Sequence, residues 1–282
     1  MAKMKGAEKM KNKIALQVYS VKEDMKSDFY GTLKKIKEMG YSGVEFAGLY
    51  GHDPLEVKKM CEELELVTLS AHVPFVDLMN NMDEVIACYK SLGVKYVVVP
   101  YLREEYRPGT EGFQTVIDVM KVLGAKLSEN DMVLQYHNHD FEFMKIDGEY
   151  ALDILYKEVG PKLLQTQLDT CWVNVGGENP SEYVKKYAGR IPTVHLKDFV
   201  GRKSENMYAL IGLDENENKD TQGAFEFRPV GMGVQDFKSI TDAAIKGGAT
   251  WFIVEQDKAS LGLTPLECAE KSIQYLLTEI FA

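Results

Sequence analysis

Short apolar runs, rich in β-branched and aromatic residues, alternate with longer stretches of helical spacing from residue 14 to the end of the chain. Ile14–Tyr19 (IALQVY) reads as a first strand. It is followed by a helix over Asp28–Met39, in which Phe29, Leu33, Ile36 and Met39 fall on one face and Gly40 is a natural stop. The alternation continues with strands Gly43–Phe46, Val67–Val73 and Lys95–Pro100 and helices Pro54–Leu64, Met82–Leu92 and Gly112–Asn130. Pro54 occupies a first-turn position that tolerates a missing N–H, and Gly93 can close the helix before it. The second half keeps step, with strands Met132–His137, Leu164–Asp169, Pro192–Lys197 and Trp251–Glu255. Their helices are Tyr150–Glu158, Pro180–Tyr187, Asp236–Gly247 and Pro265–Ile280. The period breaks once, in a polar stretch from Asp198 to about Gly233 with no clear helix.

Eight strand–helix pairs predict an α/β fold, a (β/α)8 TIM barrel, because right-handed βαβ crossovers in series can close on themselves. One barrel domain is expected over residues 13–282, behind a flexible tail of residues 1–12. A doubly wound open sheet is the competing topology. It binds ligands at one switch point, whereas here polar residues end strands all along the chain.

Those strand ends carry the candidate chemistry. His137, Asp169, His195 and Glu255 each close an apolar run. Carboxylates and imidazoles are costly to bury unless paired or bound to metal. At the matching ends of parallel strands they would converge, as one divalent cation with mixed nitrogen and oxygen ligands requires. His72 ends the third strand, Glu45 lies in the second, and His139, Glu142 and Lys197 follow shortly after ligand positions. Strand alternation puts His137 with His139, and His195 with Lys197, on common faces. Trp172, three residues beyond Asp169, is placed to stack on a sugar at the mouth, while Trp251, at the start of its strand, reads as core. Arg228, Arg103 and Arg107 are the cations available to a phosphate, although each also suits a solvated loop. Asp257 and Lys258 read as solvated loop charges. Gly231 and Gly233 do not follow a strand and open a helix, so a dinucleotide fingerprint is rejected.

Composition narrows the partners. With 43 acidic against 33 basic residues the net charge is −10, which gives no electrostatic support to nucleic-acid binding. The 4 cysteines show no paired spacing, as expected of packing thiols in a reducing compartment. No run reaches the ~18 apolar residues that would cross a bilayer. The basic N-terminal segment lacks the apolar stretch of a signal peptide, so no membrane association and a cytoplasmic location are expected.

The motifs LQVYSV (16–21), GYSGVEFAG (40–48), SAHVPF (70–75), YHNHDFEF (136–143), LDTCWV (168–173), VHLKDF (194–199), RPVGMGVQDF (228–237) and IVEQD (253–257) together resemble the sugar phosphate isomerase/epimerase family. That family lies within the xylose isomerase-like barrel superfamily, which includes inosose dehydratase-like members. The resemblance covers roughly residues 14–280. It implies one divalent metal ion (Mn, Co, Zn or Mg) held by Glu, Asp, His and Glu on the last four strands. Asp169, His195 and Glu255 match the last three positions, whereas His137 stands where many relatives have Glu. The implied chemistry is removal of a proton beside a carbonyl through an enediolate, on a sugar or cyclitol. Glu255 is the first choice for general base, His139 or Glu142 the opposing acid/base, and Lys197 the partner of a developing oxyanion. Glu45, His72, Trp172 and Arg228 are the expected substrate contacts. Isomerisation, epimerisation and dehydration share the first step and stay open, with isomerase/epimerase placed first. A non-catalytic sugar-binding barrel, or a subunit of a larger complex, is the alternative of another class. A metal-dependent apurinic endonuclease shares the superfamily, but 5 histidines and a −10 charge do not suit it. Related barrels often associate, so a homo-oligomer is an open option.

Overall fold

In the computed structural model, which describes residues 10–203 and 225–282, eight parallel strands close into a barrel in sequence order. They are β1 (Ile14–Gln17), β2 (Gly43–Ala47), β3 (Val67–His72), β4 (Tyr96–Val99), β5 (Val133–His137), β6 (Gln165–Asp169), β7 (Thr193–Leu196) and β8 (Trp251–Val254). The closing pair is β1–β8, with Ala15 opposite Ile253. The helices between them are α1 (Phe29–Glu38), α2 (Pro54–Glu63), α3 (Met82–Leu92), α4 (Gly112–Glu129), α5 (Ala151–Val159), α6 (Pro180–Lys186) and α7 (Phe237–Lys246), with α8 (Pro265–Tyr275) closing the chain. No described helix is long and apolar enough to cross a membrane.

The strands are buried on both faces, and the two faces do different work. Outward positions such as Ile14, Leu16, Val44, Phe46, Leu134 and Tyr136 join the helices in one large core cluster. Inside the barrel, Ala15, Leu69, Trp251 and Ile253 form a separate apolar cluster. Above it the interior turns polar, with Gln17, Glu45, Ser70, Gln135, Gln167 and Thr193 all buried. Barrel interiors are usually filled by branched apolar side chains. Here the polar layer satisfies itself and prepares the mouth.

Local signals set the element ends. Asp28, Asp53, Asn179, Asp236 and Thr264 cap the helices that follow them, and Thr264 forms a reciprocal capping box with Glu267. Several short elements were not expected on sequence. Helical turns at Val18–Val21, Lys22–Ser27, Phe75–Asn80 and Thr170–Val175 follow barrel strands, and Lys145–Ile146 pairs with Glu149–Tyr150 as a hairpin. Each is too brief for a periodic signal. The polar stretch after β7 begins as a strand, Asp198–Gly201, paired antiparallel with Phe225–Arg228; residues 204–224 of that stretch lie outside the described part. Residues 1–9 also lie outside it, while Met10, assigned on sequence to the tail, is buried against the core.

The glycine pair of RPVGMGVQDF has a structural purpose. Asp198 is buried and its carboxylate accepts the backbone N–H groups of Phe199, Gly231, Gly233 and Gln235 at 2.8–3.2 Å. A Cβ at Gly233 would collide with that carboxylate and with the Phe199 carbonyl. The loop therefore wraps a carboxylate of its own chain.

Candidate metal centre

β5, β6, β7 and β8 deliver His137, Asp169, His195 and Glu255 to one point at the C-terminal mouth. One ligand atom from each lies within 4.8 Å of every other. Alternation explains the delivery: inward positions two apart run Gln135–His137, Gln167–Asp169, Thr193–His195–Lys197 and Ile253–Glu255. Asp169 Oδ1 also caps the turn after β6, accepting the N–H groups of Cys171 at 2.8 Å and Trp172 at 3.1 Å. That bond fixes its other oxygen toward the cluster. Oδ2 is buried without a hydrogen-bond partner, 3.6 Å from His137 Nε2 and 3.4 Å from Lys197 Nζ. His137 Nδ1 is buried and unpartnered as well. A buried carboxylate oxygen left unbonded in this way is what an ion would satisfy, whereas the His137 nitrogen that faces the cluster is Nε2.

Charge points the same way. Glu45, Asp169, Glu255 and Asp257 crowd around Lys197 and His195. Lys197, 1% exposed, places Nζ 2.8 Å from Asp257 and 2.9 Å from Glu255. Burial opposes its charge, but Asp257, Glu255 and Asp169 outweigh burial and hold the ammonium well above its ordinary pKa. Burial would likewise raise Glu255, yet Lys197 and His195 keep its carboxyl well below the usual range. Asp257 goes the other way, pushed up to about 6 by burial despite Lys197. His195 bridges two carboxylates, Nδ1 to Glu255 at 3.1 Å and Nε2 to Glu45 at 2.7 Å. Burial opposes its charge too, but the Glu45 charge and these bonds lift it to about 10. His137 and His139 are driven well down, by burial first and then by the cations His195 and Lys197 respectively. Four carboxylates against the Lys197 ammonium and the His195 imidazolium leave a net negative charge, which favours a cation in the cluster. The donor set, two imidazoles and two carboxylates, suits a borderline divalent ion.

The cluster forms one wall of a cavity of about 1260 Å³. His72, His137, His139, Lys197, Glu255 and Asp257 line its polar end. Phe75, Val76, Val85, Tyr89, Tyr101 and Tyr106 line an aromatic and apolar wing that runs out over α3.

Other sequence expectations land elsewhere. Glu142 does not line the cavity: it turns to the outer face of the barrel, where the Tyr136 hydroxyl and the His139 N–H (2.9 Å) bond it. Burial pushes its carboxyl up to about 8. Trp172 is fully buried among Cys171, Phe199, Phe225 and Phe227, because the hairpin after β7 folds over it; its ring backs Lys197 at 5.5 Å and is closed to the mouth. Arg228 sits on that hairpin, paired with Glu226 and donating to the Phe227 carbonyl, away from the cavity. Arg103 reaches the cavity lining, whereas Arg107 packs over Phe141 and bonds the Tyr101 hydroxyl. Glu45 lies inside the barrel beneath the cluster and does not reach the cavity lining. His72 does reach it, and also bonds Gln167 at 2.8 Å. Asp257 is the functional candidate missed on sequence: its side chain is 6% exposed and meets Lys197, not solvent. Its position two beyond Glu255 on one face was the signal available.

A closed parallel barrel whose C-terminal mouth gathers imidazoles and carboxylates in one buried cluster defines an enzyme-type (β/α)8 barrel. The chain belongs to the xylose isomerase-like TIM barrel family, whose sequence model matches residues 33–279. An inosose dehydratase of Clostridium beijerinckii is 25% identical over 263 residues, covering 84% of this chain and 85% of that protein. A solved sugar phosphate isomerase/epimerase from Parabacteroides distasonis superposes with a TM-score of 0.76 at 22% identity, over 96% of this chain and 95% of that one. The IOLI protein, solved with a binding zinc atom, superposes with a TM-score of 0.69 at 18% identity over 96% of this chain and 99% of that one.

Proposed function

We propose that this protein is a divalent-metal-dependent dehydratase of a keto-cyclitol or keto-sugar. It would take the proton from the carbon beside the carbonyl and release water from the next carbon. The observation that carries the reading is the buried quartet of His137, Asp169, His195 and Glu255, with an unbonded oxygen of Asp169 aimed into it and a cavity against it. The inosose dehydratase relative moves dehydration ahead of the isomerase/epimerase outcome that motifs alone placed first.

A divalent ion, Mn, Co, Zn or Mg, held by the quartet would act as a Lewis acid toward the substrate's carbonyl. The residues supply the rest. Glu255, ionised beside Lys197, accepts the C–H proton. Lys197, a fixed ammonium in the cavity wall, meets the negative charge that develops on the substrate oxygen. Glu255 then returns its proton to the departing hydroxyl, so that an enone and water leave and the enzyme is unchanged. The substrate has room for more than one ring, since about 1260 Å³ exceeds the roughly 300–1000 Å³ of ordinary small-molecule pockets. Among the described residues Arg103 is the one arginine of the lining, which favours an unphosphorylated substrate over a phosphorylated one.

Epimerisation or isomerisation is the second reading. The cavity lining holds His139 as well as Glu255, so a second proton-transfer group is present.

The test is ¹H NMR in D2O of metal-loaded protein with an inosose and a panel of keto-sugars. An enone growing in as the substrate disappears supports dehydration. Deuterium at the acidic carbon with no loss of water supports the second reading. Saturable binding with neither change would make the protein a sugar-binding barrel, and a wild type that retains no metal after reconstitution would end the metal-dependent reading.

A further inference from the structure

Glu45 was expected to touch substrate, but its carboxylate has no capacity left for one. It is 0% exposed, and five donors from four strands surround it. Oε1 accepts from Gln17 Nε2 at 2.9 Å and His195 Nε2 at 2.7 Å, and shares the His72 Nε2–H, 3.0 Å away, with Gln167 Oε1 at 2.8 Å. Oε2 accepts from Ser70 Oγ and Gln167 Nε2, both at 2.6 Å. A carboxylate only accepts, so a ring nitrogen facing one carries a proton: Glu45 holds the His195 Nε2–H, and the Nδ1–H toward Glu255 is the proton that an ion would displace.

We propose that Glu45 is the positioning residue of the metal centre: it claims His195 Nε2–H and so presents His195 Nδ1 to the quartet. The inference rests on the metal-dependent reading above. Two groupings among the described residues bring ligand atoms close enough for an ion: His72, His137 and His195, or the quartet. Glu45 engages Nε2 of both His72 and His195 and leaves the quartet intact, since there His195 offers the nitrogen that faces Glu255 at 3.1 Å. Outer-shell carboxylates bonded to a ligating imidazole fix its tautomer and increase its donor strength. Here that carboxylate comes from β2, across the barrel from the quartet. It is anchored by β1, β3 and β6 before any ion arrives, so the polar layer inside the barrel acts as a mount for one imidazole.

The experiment is Co²⁺ and Zn²⁺ affinity by chelator competition, for wild type and Glu45→Gln. A glutamine oxygen cannot accept from all five donors, and its amide group would face donors. Affinity is expected to fall roughly 10–100-fold, the usual effect of losing such a partner. Because Glu45→Gln can also weaken the fold, a second measurement uses the intact wild type. Long-range ¹H–¹⁵N correlation of the Zn²⁺-loaded protein, with His195→Gln for assignment, should show His195 protonated at Nε2 and metal-bound at Nδ1. Unchanged affinity in a folded Glu45→Gln, or metal on Nε2, overturns the inference while leaving the metal site standing. A wild type that binds neither ion removes both.

Discussion

Replacing Glu142 with glutamine separates a structural acid from a catalytic one. Glu142 is buried, and its carboxyl is pushed from an ordinary 4.5 up to about 8 by burial, against the partial relief of Tyr136 and the backbone N–H of His139. The unfolded chain releases this proton near 4.5, and the folded chain holds it until about pH 8. Between those values the native state binds more protons than the unfolded one, so stability falls as pH rises. At about 1.4 kcal/mol per pH unit, the loss from pH 5 to 8 is roughly 4 kcal/mol for this one group. Glutamine mimics the protonated acid, with an oxygen to accept from His139 N–H and an amide to face the Tyr136 hydroxyl, and it does not titrate. Other buried groups titrate too, but they are common to both proteins and cancel in the difference. Urea unfolding from pH 5 to 9, followed by the fluorescence of buried Trp172 and Trp251, should show Glu142→Gln gaining on wild type by about 1.4 kcal/mol per unit until pH 8, then running parallel. Curves parallel throughout would refute the buried-acid account, and loss of substrate deuterium exchange in a stable variant would return Glu142 to the site.

Asp169→Asn should keep the cap on Cys171 and Trp172 but turn an amide toward the cluster; metal affinity is expected to fall by more than roughly 100-fold, the upper end for an outer-shell loss, with the thermal midpoint of the metal-free protein little changed. Retained metal by elemental analysis would exclude Asp169 as a ligand. Trp172→Ala should cost about 3–5 kcal/mol in urea unfolding because the ring fills the cluster under the hairpin. Unchanged stability with weakened sugar binding would restore Trp172 to the mouth. Gly124→Ala in α4 would gain about 1 kcal/mol from helix propensity alone. Its Cβ, however, would run into the Leu163 carbonyl, a backbone atom that cannot step aside, so a net loss in thermal midpoint is expected; a gain would show that α4 can shift.

The barrel was legible in the sequence because its strands and helices announce themselves locally. Strand–helix alternation, Pro54, Pro180 and Pro265 at helix starts and Gly93 at a helix end are signals within a few residues of each other. The quartet was legible for the same reason, since period-two alternation and a shared strand end put His137, Asp169, His195 and Glu255 on one rim. What lay beyond sequence depended on the chain folding back on itself. The side chain of Glu142 turns to the outer face after a tight turn that has no periodicity. Trp172 is covered by a hairpin whose strands, Asp198–Gly201 and Phe225–Arg228, are more than twenty residues apart in the chain. The side chain of Asp257 turns inward to meet Lys197, which arrives from another strand. Glu45 finds its partners 25 to 150 positions away. Pattern determines which face a residue joins, because it follows from backbone geometry. Only the closed barrel decides what a side chain meets there, because burial, charge and hydrogen-bond capacity belong to neighbours that the chain brings together last.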